Sequence, residues 1–222
     1  WLVTLDTIQK TIKLHDIATH AKSNGLNISG SFHSTSYQTI ILLSPAYNFW
    51  EIFKKSTEYS QNITDPIDTW SIRVISKIAT EVAAVPKFPF GESSHAPFLK
   101  WAISSGKAWS SPVGMLVHDK MGLMVSYRGA LIFDYKIKLK KNNAKNPCIK
   151  CINKPCIIAC PVNALTPKGY DIQNCYDFLN TKQGETCMKN SCKVRTACPI
   201  SVAVNRNPEH SLLHMNAFKG NK

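Results

Sequence analysis

The first 135 residues alternate between two apolar rhythms. Leu5, Ile8, Ile12, Leu14 and Ile17 recur at helical spacing, which predicts a helix stopped at Gly25. Tyr47–Lys55 predicts a shorter one. A third begins where Asp65 can cap free amides, Pro66 suits the first helical position and Asp68 favours the positive end of the dipole. Its face is Ile67, Trp70, Val74, Ile75, Ile78 and Val82, a stripe expected in the core. Pro97–Ser105 predicts a fourth helix, with Gly106 behind it. Between these lie β-rich runs at Leu26–His33, Thr39–Ser44 and Ala130–Tyr135. Val113–His118 and Leu123–Tyr127 flank Asp119-Lys120-Met121-Gly122 and read as a hairpin. Helices mixed with antiparallel strands in this order predict an α+β layer. Lys136–Asn146 is basic and Asn-rich and reads as a linker.

Composition narrows the picture only a little. The chain has 222 residues and is 44% apolar, which suits one domain or two small ones with a real core. The longest apolar run, Thr39-Ile-Ile-Leu-Leu-Ser44, is strand-length and far short of the roughly 18 residues that span a bilayer. No secretory pattern stands at Trp1-Leu2-Val3, and the expected compartment is bacterial cytoplasm, with the mitochondrial matrix as the alternative. The net charge of +13 is uneven. Residues 136–222 hold fifteen Lys and Arg against four acids, and residues 1–135 hold twelve against ten. No aromatic-interleaved basic motif accompanies the charge, so nucleic-acid binding is not expected. Anionic metal clusters would offset part of it.

Cysteine supplies the chemistry. All eight lie after residue 147: Cys148, Cys151, Cys156 and Cys160, then Cys175, Cys187, Cys192 and Cys198, with Pro161 and Pro199 closing the two groups. Disulfides fit small secreted scaffolds, and zinc usually takes cysteine pairs about 12–20 residues apart. Crowded thiols ending in Cys-Pro point instead to two four-iron clusters. In the two-cluster ferredoxin pattern the cysteine before proline serves the other cluster. Cys148, Cys151, Cys156 and Cys198 are then one ligand set, and Cys160, Cys175, Cys187 and Cys192 the other. Lys154-Pro155 lengthens the gap before Cys156 relative to the commoner spacing.

The cysteine block, with Cys175 standing alone between the groups, resembles the ferredoxin-like half of epoxyqueuosine reductases and reductive dehalogenases. So does the stretch that precedes it: Ala96-Pro97-Phe98-Leu99, Trp109 and Met115–Gly122. Asp65-Pro66-Ile67-Asp68-x-Trp70-Ser71, Phe88-Pro89-Phe90-Gly91 and Tyr127-Arg128-Gly129-Ala130-Leu131 are similar to short bacterial ferredoxin-like proteins. The resemblance covers roughly residues 60–202 and implies a nitroreductase-like α+β domain (1–142), a ferredoxin-like two-cluster domain (143–205) and a C-terminal tail (206–222). It also implies a cobalamin or flavin beside the two [4Fe-4S] clusters. Epoxyqueuosine reductases place an acid just before their Ala-Pro pair; here Ser94-His95 stand there, with Glu92 two positions off. Their reaction is therefore not carried over.

His95 is the candidate proton donor in place of that acid, the alternative being a loop histidine bonded to backbone. Trp109, His118, Tyr127 and Arg128 are candidates for holding a small-molecule cofactor; for Arg128 an ordinary ion pair is an equal alternative. The functional expectation is single-electron transfer, from a redox partner protein through two clusters, to something held by the N-terminal domain. The alternatives are a corrinoid- or flavin-dependent reductase and a non-catalytic subunit stapled by its clusters.

Overall fold

A computed structural model describes residues 12–61, 63–91 and 96–220. Through residue 133 the elements are α1 (Leu14–Ser23), β1 (Leu26–Phe32), β2 (Thr39–Pro45), α2 (Phe49–Phe53), α3 (Thr57–Ser60), α4 (Pro66–Glu81), β3 (Val85–Lys87), α5 (Phe98–Ser104), β4 (Ala108–Ser110), β5 (Leu116–His118) and β6 (Gly129–Phe133). An antiparallel sheet of order β1-β2-β6-β3 forms the centre. Its middle strand β2 is buried along Thr39–Ser44 because both faces are covered. Ile41 and Leu43 pack with α1, α2 and α4, whereas Ile40 and Leu42 pack with Phe98, Trp101 and Ala102 of α5. That is why this strand reads as a continuous apolar run and not as an alternation.

The fold is mixed α and β, as expected. The stripe on α4 is core throughout, from Ile67 to Val82. Asp65, however, does not cap it. Its backbone is left-handed, at φ 47° and ψ 56°, and its side chain makes no capping bond. Pro66 does take the first turn. Helix α1 starts at Leu14, and Ile12 packs on the core from the segment before it; Leu5 and Ile8 lie outside the described residues. Gly25, at φ +76°, stops α1 as expected.

The predicted hairpin is corrected. Strand β5 pairs with β4, not with residues 123–127. The 123–127 segment is not a strand because its polar backbone groups are taken elsewhere. The Leu123 N–H donates to Ser201 Oγ at 2.9 Å, the Leu123 carbonyl accepts from Arg195, and the Met124 carbonyl accepts from Arg206. Residues 136–146 carry no regular element, but they are fastened. Ile137 is buried in the core, its N–H donates to Thr39 Oγ1 at 3.0 Å, and Asn142 Nδ2 donates to the carbonyls of Ser105 and Gly106 at 3.0 and 2.8 Å.

Beyond this stretch come two 3-10 turns, Pro147–Ile149 and Pro155–Ile157. A small hairpin follows, β7 (Leu165–Thr166) with β8 (Gly169–Tyr170). Then come α6 (Ile172–Leu179), α7 (Glu185–Asn190), α8 (Lys193–Ala197), α9 (Pro199–Val202) and α10 (Pro208–Gly220). The residues expected as a tail thus contain a helix of 13 residues. Its His210 stacks on Trp50 at 5.3 Å between centroids and 9° between planes, and Trp50 Nε1 donates to Glu209 at 2.8 Å. The C-terminal helix is thereby docked on α2. No described helix is long and apolar enough to cross a membrane.

Candidate metal centres

Six of the eight cysteines sit on or beside short local elements. Asn146 Oδ1 accepts from the Cys148 N–H at 3.0 Å, and Pro147 opens the turn that carries Cys148. Pro155 opens the second turn, which carries Cys156, after Lys154 enters the left-handed region at φ 37°. The insertion Lys154-Pro155 therefore builds a turn and does not interrupt one. Cys175 lies on α6 and Cys187 on α7, while Cys192 and Cys198 stand at the starts of α8 and α9, the latter followed by Pro199 at the first helical position. All eight thiols are free.

They gather in two places. Cys148, Cys151, Cys156 and Cys198 line one cavity of about 470 Å³, together with Leu123, Val117 and Ile200. Cys160, Cys175, Cys187 and Cys192 line another of about 460 Å³. The division crosses the sequence groups: Cys198 joins the first three cysteines and Cys160 joins the last group. Burial, and then the neighbouring thiols Cys156, Cys198 and Cys151, push the Cys148 thiol up. Cys156 is pushed up by burial and then by Cys198 and Cys151. In the other cavity burial again leads, with Cys192, Cys160 and Cys187 adding to the rise at Cys175, and Cys187 to that at Cys192. Four acids sharing a poorly hydrated space cannot ionise together unless a cation joins them.

Donor chemistry fits an iron–sulfur cluster in both places. Among the described residues no group of three or more His, Cys, Asp or Glu is arranged to hold a single metal ion. A four-iron cluster takes one thiolate per iron, so its donors surround a volume instead of converging on a point. The surroundings supply further support for sulfur: the Ala164 N–H donates to Cys160 Sγ at 3.2 Å, and Tyr170 is hydrogen-bonded to Cys175. Val113, Val117, Leu123, Leu165 and Val194 form the apolar wall. Such a shell limits water and so influences the potential of any cluster behind it.

Gly122 brings the turn after β5 against the first cavity. It is left-handed at φ +54°, and a Cβ there would stand 2.6 Å from the Ser201 N and 2.9 Å from Cys198 Sγ. Only glycine brings the turn after β5 this close to a cysteine. The second cavity is flanked by cations and by α10. Arg195, Arg206 and His214 are among its lining residues, and neither arginine has a carboxylate within ion-pair distance among the described residues. No local pattern signals that these two arginines, 11 positions apart, meet residues 123 and 124.

Of the other candidates, His95 lies outside the described residues. Trp109 sits on β4 and packs against the apolar wall of the cysteine region. His118 is buried; its Nε2–H donates to the Ser29 carbonyl at 2.8 Å, and Nδ1 accepts from the N–H groups of Lys120 and Met121 at 3.1 and 3.3 Å. Burial, chiefly, lowers its pKa. Tyr127 packs beside α5 with its hydroxyl buried and unpartnered, and burial, then the charge of Asp119, raises its pKa. Arg128 pairs with Asp68, donates to Ser71 Oγ at 3.2 Å, and lies 4.9 Å from the Phe90 ring centre. Asp68, Ser71, Phe90 and Arg128 come from three separate motifs and meet around this one half-buried ion pair. None of Trp109, His118, Tyr127 and Arg128 lines either cysteine cavity.

Comparison with solved structures places the fold. A catabolic reductive dehalogenase, NpRdhA, N-terminally tagged, overlaps 92% of this chain with a TM-score of 0.55 at 13% identity. A variant of the same dehalogenase gives a TM-score of 0.54 at 13% identity, again over 92% of this chain and over 34% of its own. An epoxyqueuosine reductase is a weaker overlap, TM-score 0.45 at 15% identity over 89% of this chain and 70% of its own. The chain spans about a third of the dehalogenase, 35% of its length. At these identities the likeness is one of fold. No family model matches the sequence, and no curated protein matches it either.

Proposed function

We propose that this chain is an iron–sulfur electron-transfer protein with two [4Fe-4S] clusters. Cys148, Cys151, Cys156 and Cys198 hold the first; Cys160, Cys175, Cys187 and Cys192 hold the second. The observation that carries this reading is the crossed partition of the eight thiols around two cavities. Each cluster, when bound, supplies a site that accepts and releases a single electron. The chain's own residues do the rest: they supply thiolates, donate hydrogen bonds to sulfur from Ala164 and Tyr170, and exclude water with an apolar wall. Residues 1–142 serve as a nitroreductase-like scaffold, 143–205 as the ferredoxin-like part, and within the tail 206–222 helix α10 completes the second site.

The reductase overlaps in fold support a redox role. A corrinoid or flavin is not placed by the four residues first considered for it. His118 has both ring nitrogens engaged and Arg128 is held in its ion pair, so no chemical step is derived through such a group.

Anaerobic purification with iron and acid-labile sulfide analysis tests the reading. About eight irons and eight sulfides per chain are expected. Stoichiometric zinc with negligible iron would contradict it.

A further inference from the structure

The two cavities meet the surface differently. The first is opened by the very loop that supplies its ligands, Cys148-Ile149-Lys150-Cys151-Ile152-Asn153-Lys154. Lys150, Ile152 and Lys154 lie on its wall, yet Ile152 is 94% and Ile149 80% exposed. Ile158, two residues past Cys156, is 83% exposed. Isoleucines held this far into water on the cysteine-bearing loop form an exposed apolar patch. The charges on this loop are all cationic: Lys145, Lys150 and Lys154 are exposed and enter no ion pair among the described residues. From Tyr135 to Tyr170 the chain contains no Asp or Glu at all.

We infer that this patch is the docking surface for an acidic electron-carrier protein, which delivers electrons to the first cluster. The inference rests on the two-cluster reading. Charge complementarity identifies the occupant: a run of lysines with no acid among them attracts a carboxylate-rich face over a long range and orients it. Isoleucines among those lysines supply the desolvated contact that brings the two redox centres close. The step moves one electron; the carrier is oxidised by one unit, the first cluster is reduced by one, and no bond or proton changes. An anionic membrane would meet the same lysines, but a bilayer offers no electron to a cluster whose ligand loop forms the patch.

The test uses the cluster-loaded protein and a reduced acidic [2Fe-2S] ferredoxin as the probe, with stopped-flow reading of cluster bleaching. The rate is expected to fall at least about tenfold between low and high salt. Lys145→Glu, and separately Ile149→Ser, both exposed and outside the cavity wall, should each slow it several-fold or more. Iron content and the rate with dithionite serve as controls and should stay at parental values. Rates with ferredoxin that ignore both salt and substitutions, in protein with full iron, would overturn the docking inference while leaving the two-cluster reading intact. So would lysine-dependent cosedimentation with phosphatidylglycerol vesicles that leaves the ferredoxin rate unchanged. Protein without iron would overturn the two-cluster reading, and the docking surface with it.

Discussion

The two cysteine cavities hold the same donors in nearly the same volume, but their settings differ. The first opens at a Lys- and Ile-bearing loop and meets Gly122 and Leu123, which follow β5. The second lies behind Arg195, Arg206 and α10. Identical ligands in unlike surroundings are expected to differ in potential, because nearby charge and solvent access set it as much as ligand identity.

The largest test of the comparison removes one site at a time. Cys151→Ala should lose the first cluster and Cys175→Ala the second, each cutting iron by about half, as shown by iron analysis and electron-spin resonance. Full iron in either variant would dissolve the distinction. Next, Gly122→Val forces a branched side chain onto the Ser201 N–H and Cys198 at a left-handed position. A loss of roughly 2–4 kcal/mol is expected in denaturant unfolding, with the first cluster lost before the second.

A smaller effect concerns the charges at the second site. Arg195→Gln should move the second cluster to a more negative potential in a redox titration and leave the first where it is, since a nearby cation favours the reduced, more anionic state. Equal shifts in both would show that the arginine does not distinguish them.

Acid should also loosen the second site first. Burial, then the charges of Arg206 and Arg128, holds His210 down at about 3, well below an ordinary histidine. His214, 3.0 Å away between ring nitrogens, is lowered as well, by burial and then by His210 and Arg206. A folded pKa below the unfolded one means that the unfolded chain binds more protons between the two values. The stability contributed by neutral His210 is therefore full above about pH 6.5 and declines as pH falls toward 3. Hydrogen exchange in α10 against pH checks this; His210→Gln should flatten the dependence, and an unchanged slope would remove His210 as its cause.

What could be read from the sequence is uneven for physical reasons. The cysteine-bearing region could be read because all eight cysteines fall after residue 147 and two of them stand before proline. The α4 stripe was legible because one face meets one layer. The 123–127 segment was misread because its backbone partners, Ser201, Arg195 and Arg206, lie more than 70 positions away and leave no periodic trace. Strands β3 and β4, of three residues each, are too short to show alternation. The Asp68–Arg128 pair, 60 positions apart, was invisible as a pair although both ends stood in noted motifs. Helix α10 was read as a tail because Leu212, Leu213, Met215 and Phe218 do not form a single stripe; its contacts are spread around it, with His210 and Glu209 on Trp50, Leu213 on the core and Phe218 on Tyr170.

The crossed assignment itself is tested most directly by iron content in two double variants. Cys151→Ala with Cys198→Ala damages one site if the partition is right, so about four irons should remain. Cys175→Ala with Cys198→Ala damages both and should leave almost none. The reverse pattern, with four irons kept when Cys175 and Cys198 are removed together, would contradict the account.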